Sequence, residues 1–305
     1  MVIDPKIAII TDEPGWHGRR LKRAFAAHGR RGVYVSSTEC RLDLSGAQPQ
    51  VILPGFKGRP AGVFVRGIPG GTLEQVILRL DCLHALSEMG VLIYNHPRAI
   101  ERTVDKAMTS FLLKRAQLPT PPTWVCESES QARAIVLREC ARGRRLVAKP
   151  LFGSQGTGVR LIEKVADLEN REGLQGVYYL QAFQEKLAGQ WCDLRVFVIA
   201  GRAVAAMRRT SESHWITNRA RGGRCEALAL DGNLARLAEA AVRAIDIDYA
   251  GVDLMPLTGG GYTITEVNSI PAWQGLQSVT EIDIAARLAD HFFTLTAAAG
   301  LQAVT

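Results

Sequence analysis

The chain has 305 residues, of which 47% are hydrophobic and 22% are charged. This composition excludes an intrinsically disordered protein, and the length allows two or three packed subdomains. The net charge of +7 keeps two kinds of anionic partner open, nucleic acid and a small anionic substrate, because the Lys and Arg residues form only short, scattered clusters.

Cysteine spacing and hydropathy restrict the class of protein further. The six cysteines are widely spaced and form no C-x-x-C pair, which indicates neither a zinc site nor a disulfide framework. Asp4 and Lys6 interrupt the N-terminal apolar run, which excludes a signal peptide, and no apolar stretch approaches the roughly 18 residues of a membrane span. We therefore expect a cytoplasmic protein without membrane association.

The first 95 residues predict a small doubly wound α/β domain. Short apolar runs indicate strands, and runs with helical spacing indicate helices between them. The predicted strands are residues 6–11, 32–35, 62–65 and 91–94, and the predicted helices are residues 19–28 and 73–89. No G-x-G-x-x-G follows the first strand, so the pattern does not predict a dinucleotide site there.

The loop RGIPGG, residues 66–71, follows a predicted strand at its carboxyl end. Ligands bind at that edge of open α/β sheets, so Arg66 is a candidate for contacting a substrate carboxylate. The alternative is a surface arginine that caps a turn.

A helix is predicted over residues 104–116, ahead of the proline-rich PTPPT at residues 119–123, because proline ends a helix. Lys106 lies in its first turn, where an ammonium group can meet an anion at the helix N-terminus. The alternative is a solvated lysine, as most helical lysines are.

The segment LVAKPLFGSQGTGVRLI, residues 146–162, predicts a strand, a glycine-rich loop and a second strand. Lys149 ends the first strand, and the small residues at 153–158 allow the loop to fold over a phosphate chain with its N–H groups pointing inward. A simple turn is the alternative, and Lys149 directly before the loop favours phosphate binding. The loop is not a P-loop, because no G-K-[ST] follows the glycines.

Further strands are predicted over residues 177–183 and on both sides of a turn at residues 200–202. Asp193 and Arg195 share one face of the strand before that turn. They either bind a ligand or form a cross-strand salt bridge. Amphipathic helices are predicted over residues 232–245 and 282–295.

The stretch YAGVDLMPLTGGGYTITEVNSIPA, residues 249–272, predicts a β-hairpin around three glycines. If Gly259 and Gly260 form the loop, Asp253 lies directly opposite Glu266, and Asn268 shares the face of Glu266. Two carboxylates and a carboxamide are hard oxygen ligands, which suit Mg²⁺ with phosphates completing its shell. The alternative is a pair of ordinary solvated charges.

The residues TEVNSIPAWQGLQ (265–277), with Asp253 on the strand before, resemble the metal-binding end of the ATP-grasp superfamily and are most similar to the RimK-like glutamate ligases and their LysX relatives. The motifs between residues 95 and 293 follow the order of that family. The resemblance implies an α/β protein, α+β in its C-terminal part, with an ATP-grasp fold. It implies an N-terminal doubly wound pre-ATP-grasp domain (1–95), a central ATP-grasp subdomain with the lid loop (96–185) and a C-terminal subdomain with the Mg²⁺ site (186–305).

The resemblance also implies which residues bind ATP and metal. It implies a phosphate-binding pair (Lys106 and Lys149), a lid (Gly153, Ser154, Gln155, Gly156), an adenine-binding strand (Gln181, Ala182, Phe183), a ribose contact (Asp193), a nucleotide-side or metal-side contact (Asn218), and ligands for two Mg²⁺ ions, with Mn²⁺ as a possible substitute (Asp253, Glu266, Asn268). Many family members carry an acidic residue where this chain has Ala182, which leaves the adenine contacts less defined than the phosphate contacts.

The implied activity is ATP-dependent carboxylate–amine ligation. A carboxylate is activated as an acyl-phosphate and joined to the amine of glutamate or a similar amino acid, with ADP and phosphate released. Arg195, with Arg208 or Arg209, would stabilise the reacting groups, and Arg221 would hold the acyl group. The acceptors of the family include a tetrahydromethanopterin-like coenzyme, a carrier protein and a ribosomal protein tail, and many members are dimers or tetramers.

A second hypothesis is a basic protein that binds RNA or the ribosome and keeps the nucleotide fold only as a scaffold. It predicts salt-dependent RNA binding that survives Asp253→Ala. The presence of the phosphate-binding and metal-binding residue types argues against it, because a scaffold does not need them. We therefore expect no nucleic-acid partner.

Overall fold

The structure of the chain, a computed structural model, describes residues 3–153, 156–169, 176–185, 190–212, 214–217 and 222–302. The chain divides into two compact units. The first unit comprises Met1–Ile100, Ile247–Tyr249 and Ile270–Thr305, and the second comprises Glu101–Asp246 and Ala250–Ser269. The three-part division predicted from the sequence stays a prediction.

The first 100 residues form a parallel sheet with helices and one separate hairpin. The elements are β1 (Ile3–Ile10), α1 (Gly15–Ala27), β2 (Gly32–Val35), β3 (Arg41–Asp43), β4 (Gln50–Ile52), β5 (Arg59–Val65), α2 (Leu73–Glu88) and β6 (Ile93–Tyr94). The sheet has the order β2-β1-β5-β6, with every pair parallel. The predicted doubly wound pattern is present, while the hairpin β3–β4 was not predicted.

Alternation along the strands sends side chains of this sheet to two opposite faces. Ala8 and Ile10 pack with Leu83 of α2 in one buried cluster. On the other face, Phe64 contacts Phe25 of α1, with ring centroids 5.8 Å apart. The strands are therefore buried on both faces, as parallel strands usually are.

The second unit contains most of the remaining elements. They are α3 (Pro97–Val104, which begins in the first unit), α4 (Lys106–Arg115), β7 (Thr123–Cys126), α5 (Glu129–Ala141), β8 (Leu146–Lys149), β9 (Arg160–Ile162), β10 (Tyr178–Ala182), β11 (Trp191–Ile199), β12 (Arg202–Ser211), β13 (Arg224–Leu228), α6 (Gly232–Ile245), β14 (Tyr249–Pro256) and β15 (Tyr262–Asn268). One sheet has the order β7-β10-β8-β9 and the other has the order β13-β12-β11-β14-β15. Helix α5 packs on the first of these sheets and α6 on the second.

Two C-terminal helices, α7 (Gln274–Gln277) and α8 (Ile284–Gln302), belong to the first unit. Phe292 of α8 stacks on Phe25 of α1, with ring centroids 5.7 Å apart, and Asp283 binds Arg20 at 2.8 Å. The predicted helix at 282–295 is present and covers the parallel sheet.

Several predicted boundaries were wrong. The helix predicted over residues 104–116 begins at Lys106, because the carboxylate of Asp105 accepts from the N–H groups of Ala107 and Met108. Asp favours this N-cap position. The strand predicted at 91–94 begins at Ile93.

The elements α3, β7, α5, β13 and α7 were not predicted. In α5, Glu139 is fully buried on the same helix as Ala132 and Val136, and three arginines bind its carboxylate (Arg138, Arg142 and Arg144). A buried charge on the inner face interrupts the apolar periodicity by which a helix is recognised.

The glycine loop of the β14–β15 hairpin is longer than predicted. The ladder ends at Pro256 and Tyr262, so Leu257–Gly261 forms the loop rather than Gly259 and Gly260 alone. Gly260 and Gly261 take positive φ values of 86° and 80°. A bulge between Leu254 and Asp253 then shifts the register by one residue, with the result that Asp253 still pairs with Glu266.

Among the described helices, none combines the length and apolar character that crossing a lipid bilayer requires.

Candidate active site

A cavity in the second unit is lined by residues of both its sheets. Ten of the predicted site residues line it: Lys106, Lys149, Gly153, Gly156, Gln181, Ala182, Phe183, Asp193, Asp253 and Glu266. They come from five strands, the position directly after β10, the first turn of α4 and the loop after β8. The fold therefore brings together side chains that lie up to 160 positions apart in the chain, from Lys106 to Glu266.

The two lysines are anchored at the cavity by oxygen acceptors. Lys106 Nζ donates to the carbonyl of Gly153 at 2.7 Å, and Lys149 Nζ donates to Oε1 of Gln181 at 2.8 Å. Burial lowers the pKa of Lys106, and the negative charge of Glu266, which acts to raise this pKa, offsets only part of the effect. Burial also lowers the pKa of Lys149, again opposed by Glu266. Two ammonium groups in a partly desolvated cavity can bind a polyanion.

The predicted metal-side residues lie on one side of the β14–β15 hairpin. Asp253 and Glu266 are directly opposite each other, and Asn268 Nδ2 lies 3.5 Å from Oδ2 of Asp253. The extra residue of the bulge, Thr265, also lines the cavity, and its hydroxyl donates to the carbonyl of Asp253 at 3.2 Å. Within the described residues, no hydrogen bond or ion pair engages the carboxylate of Glu266.

A network of two aspartates and two arginines continues from Asp253 into the sheet. Arg195 donates to both carboxylate oxygens of Asp253, at 2.7 and 2.6 Å. Arg209 donates to both oxygens of Asp193, at 2.6 and 2.7 Å, and its Nη2 lies 3.1 Å from Asp253. Asp193 and Arg195 therefore form ion pairs with other strands and not with each other.

The two aspartates respond differently to this environment. Burial acts to raise the pKa of Asp253, but Arg195 and Arg209 outweigh burial and hold its pKa below the usual value. For Asp193, burial outweighs the effect of Arg209, and the pKa is raised. Asp253 is thus the carboxylate that the network keeps ionised.

An aromatic group closes the end of the cavity near β10. The ring centroid of Phe183 lies 5.5 Å from that of Trp215, and the guanidinium of Arg145 lies 4.7 Å from the Phe183 ring. The backbone N–H of Phe183 donates to the carbonyl of Arg145, and the carbonyl of Ala182 accepts from the side-chain amide of Gln184. This end of the cavity can take an apolar, planar group.

The structure does not bring every predicted residue to the cavity. Arg208 is exposed and its neighbour Arg209 is buried, because consecutive strand residues point to opposite faces; of the two alternatives, Arg209 is the one beside the carboxylates. Four predicted residues lie outside the described part of the chain: Ser154, Gln155, Asn218 and Arg221.

Other cavity residues were missed by the sequence analysis. Met255 follows Asp253 by two positions and lies on its face, so strand periodicity could have found it. Thr265 reaches the cavity through the bulge, which the sequence does not reveal. Trp215 and Thr217 lie in the segment HWITN and also line the cavity.

Comparison with known proteins identifies the family. The sequence model of the RimK-like ATP-grasp domain matches residues 103–292. A tetrahydromethanopterin:alpha-L-glutamate ligase of Methanococcus maripaludis is 36% identical over 234 residues, which cover 75% of this chain and 77% of that protein. The chain belongs to the RimK-like ATP-grasp family. The resemblance inferred from residues 265–277 is confirmed, and so is the expected enzyme class, since ATP-grasp ligases form C–N bonds.

Other relatives of this RimK-like protein extend the match over most of the chain. A probable alpha-L-glutamate ligase of Thioalkalivibrio sulfidiphilus is 31% identical, with 93% of each chain covered. The structure of the ATP-grasp ligase PsnB with a phosphomimetic variant of its minimal precursor, Mg and ADP superimposes with a TM-score of 0.72 at 21% identity, covering 95% of this chain and 98% of PsnB. The predicted ATP-grasp fold is confirmed.

ATP-grasp ligases use ATP and Mg²⁺, and the donor set of this RimK-like chain fits the metal. The described residues contain no cluster of three His, Cys, Asp or Glu side chains. Mg²⁺, however, prefers a few carboxylate oxygens with phosphates and water. The side chains of Asp253, Glu266 and Asn268 carry oxygen donors of this kind, and Lys106 and Lys149 line the same cavity as the two carboxylates.

Proposed function

We propose that this chain joins the carboxylate of an acceptor to the amine of glutamate, with ATP converted to ADP and phosphate. The observation that carries the proposal is the cavity in which Lys106 and Lys149 face the in-register pair Asp253 and Glu266. The relatives named glutamate ligases support the choice of amino acid.

Lys106 and Lys149 bind the phosphates of ATP in this proposal. Their reduced hydration strengthens the attraction to a phosphate, because charges interact more strongly in a site with less water. Lys106 also holds the carbonyl of Gly153, and so links the first turn of α4 to the loop after β8. Phe183 and Trp215 supply an apolar surface for the adenine, and Asp193 contacts the ribose.

Asp253, Glu266 and Asn268 hold Mg²⁺ as two ions, with Mn²⁺ as a substitute. When bound, the metal neutralises phosphate charge and orients the phosphate that is transferred. Arg195 and Arg209 keep Asp253 ionised, which a metal ligand requires.

The acceptor carboxylate attacks the γ-phosphate and becomes an acyl-phosphate, which the amine then attacks. Arg195, on the sheet face that carries Asp253, stabilises the charge that develops on the reacting groups. Gly153 and Gly156 line the cavity and, with Ser154 and Gln155, form a lid that excludes water, which would otherwise hydrolyse the acyl-phosphate. Asn218 contacts the nucleotide side or the metal side of the site in this proposal, and Arg221 holds the acyl group.

The acceptor is a small pterin-type coenzyme, a carrier protein or a ribosomal protein tail. The relatives include ligases named for tetrahydromethanopterin, so a pterin-type coenzyme is the first acceptor to test. We also propose that the enzyme acts in the cytoplasm as a homodimer or homotetramer.

The test is ADP release by the purified protein with ATP, Mg²⁺, L-glutamate and a panel of carboxylate acceptors. One acceptor is expected to raise turnover, and Glu266→Gln is expected to lower that turnover by about 100-fold or more, because it removes a metal ligand.

Glu226→Gln is the matched control, because Glu226 lies on β13 of the same sheet and outside the residues that line the cavity. It is expected to keep wild-type turnover. Failure of ATP to bind in the presence of Mg²⁺, or wild-type turnover by Glu266→Gln, would reject the proposed function.

A further inference from the structure

Lys149 depends on one side chain for its position at the cavity. Among the described residues, Oε1 of Gln181 is the only atom that accepts a hydrogen bond from Lys149 Nζ, at 2.8 Å. A lysine side chain is flexible, so the direction of its ammonium group is determined by the group that it binds. The position of Lys149 is therefore only as well defined as that of Gln181.

Gln181 is held by two hydroxyl groups that bind its carboxamide. It lies directly opposite Thr123 of β7 and two positions after Tyr179 on β10, so the three side chains share one face of the sheet. Its Nε2 donates to Oγ1 of Thr123 at 3.0 Å and to the Tyr179 hydroxyl at 3.1 Å. Gln181 and Tyr179 are 3% and 1% exposed, so these hydrogen bonds are shielded from water.

The donors and acceptors of this network determine which way the carboxamide points. The ammonium group of Lys149 offers only donors, so the carboxamide atom that faces it is the oxygen. The hydroxyl of Thr123 donates to the carbonyl of Pro121 at 2.9 Å, which leaves its oxygen to accept from Gln181. The carboxamide thus directs its oxygen at Lys149 and has a hydroxyl acceptor for each of its two N–H groups.

Tyr179 extends the network to the helix that carries the other lysine of the cavity. Its hydroxyl, which accepts from Gln181, lies 2.8 Å from Oγ of Ser110. Ser110 follows Lys106 on α4 by about one helical turn. The network therefore connects β7, β10 and α4, three separate elements of the second unit, and its hydroxyl groups are supplied by all three.

We propose that Thr123 and Tyr179 are positioning residues: they hold the carboxamide that directs Lys149 at a phosphate of the bound nucleotide. The inference rests on the proposed function, in which Lys149 binds the phosphates of ATP. Thr123 and Tyr179 lie outside the residues that line the cavity, so they act through the carboxamide and not by contact with the nucleotide. A lysine that is already fixed in its binding orientation loses less conformational freedom when the phosphate binds, which increases affinity.

The test is the binding of ADP to the full-length protein in the presence of Mg²⁺, measured by calorimetry. Thr123→Val keeps the branched shape of the side chain and removes the hydroxyl, and it is expected to weaken ADP binding by about threefold to tenfold, equivalent to one neutral hydrogen bond. Thr123→Ser keeps the hydroxyl and is expected to bind ADP like wild type. Tyr179→Phe is expected to weaken ADP binding by a factor similar to that of Thr123→Val.

Tyr262→Phe is the matched control for Tyr179→Phe. The hydroxyl of Tyr262 also donates a hydrogen bond, to Asp231 at 2.6 Å, but Tyr262 lies outside the residues that line the cavity and outside the network around Gln181. This variant is expected to keep the ADP affinity of wild type. Urea denaturation of each variant checks that the protein is folded under the conditions of the binding measurement.

A double-mutant cycle with Lys149→Met separates positioning from a structural role. Lys149→Met is expected to weaken ADP binding, and adding Thr123→Val is expected to cause no further loss, because the hydroxyl acts through an ammonium group that is no longer present. If Thr123→Val binds ADP like wild type, or weakens binding by the same factor with and without Lys149, the positioning role is rejected and the proposed function stands. If wild type does not bind ADP, or Lys149→Met binds ADP like wild type, the phosphate contacts of the proposed function fail and the inference fails with them.

Discussion

Arg209 shows at the residue scale how the candidate site is held together. Its side chain is 5% exposed, between the carboxylates of Asp193 and Asp253. A guanidinium in this position neutralises two buried charges at once, and removing it would leave Asp193 without its ion pair. Burying an ion pair costs desolvation free energy. Removing one partner destabilises the protein further, because an uncompensated charge stays buried.

Arg209→Met is expected to lower the free energy of unfolding by about 3–5 kcal/mol near pH 7, measured by urea denaturation. The deficit depends on pH. Burial already raises the pKa of Asp193 above its usual 3.8, and loss of Arg209 raises it further, so the folded variant binds a proton more tightly than the unfolded chain. The full loss of unfolding free energy is therefore expected above the raised pKa of Asp193. The loss becomes smaller as the pH falls toward 3.8.

Arg202→Met is the control for this prediction. Arg202 is 82% exposed and lies 3.9 Å from Glu239, so its loss is expected to cost less than about 1 kcal/mol at any of these pH values. Equal effects of the two substitutions would show that the Arg209 network does not contribute as a buried ion-pair system.

At the scale of one element, the β14–β15 hairpin determines whether the metal-side residues meet. Its five-residue loop and its bulge each shift the register by one residue, and the two shifts cancel at Asp253 and Glu266. The loop depends on two glycines in the left-handed region, Gly260 and Gly261, where a side chain is strained.

Gly261→Ala is expected to destabilise the protein by about 1–2 kcal/mol, the cost of placing a Cβ in the left-handed region. Gly259→Ala is the matched control, because Gly259 has no positive φ and nothing lies within 4 Å of an added Cβ; it is expected to be neutral or slightly stabilising. Thermal unfolding of both variants measures the difference. If Gly261→Ala unfolds like Gly259→Ala, the loop does not require the left-handed conformation.

At the scale of the whole chain, the first unit is completed by its C-terminal helix. Phe292 of α8 is fully buried and packs against Phe25 and Phe64, more than 220 positions earlier in the sequence. An added Cβ at Gly62 would approach the Phe292 ring to 2.7 Å, so the strand and the helix are closely fitted. The unit therefore cannot form its core before the last part of the chain has been made.

Phe292→Ala is expected to lower the free energy of unfolding by about 3–5 kcal/mol, through lost burial and the cavity left behind. Phe111→Ala removes the same atoms at a position that is 57% exposed, and it is expected to cost less than about 1 kcal/mol. Urea unfolding of the two variants measures the contrast. Comparable losses would mean that α8 does not contribute to the core of the first unit.

The sequence by itself determined the class of protein and the identity of half of the residues that line the cavity. The order of Lys106, Lys149, the glycine loop and the Asp…Glu-x-Asn set resembles that of the ATP-grasp ligases, and these residue types suit phosphate and metal binding whatever the details of the fold. Helix α6 and strand β2 agree with their predicted ranges, since strong local periodicity needs no tertiary information.

Only the tertiary structure decided how the charged residues pair. The sequence placed Asp193 and Arg195 on one face, but their partners are Arg209 and Asp253 on other strands, and strand order cannot be read from local patterns. The same holds for the bulge that brings Thr265 to the cavity, and for α5, whose buried Glu139 breaks the apolar pattern. These features depend on contacts between distant segments, and long-range contacts form only when the whole chain folds.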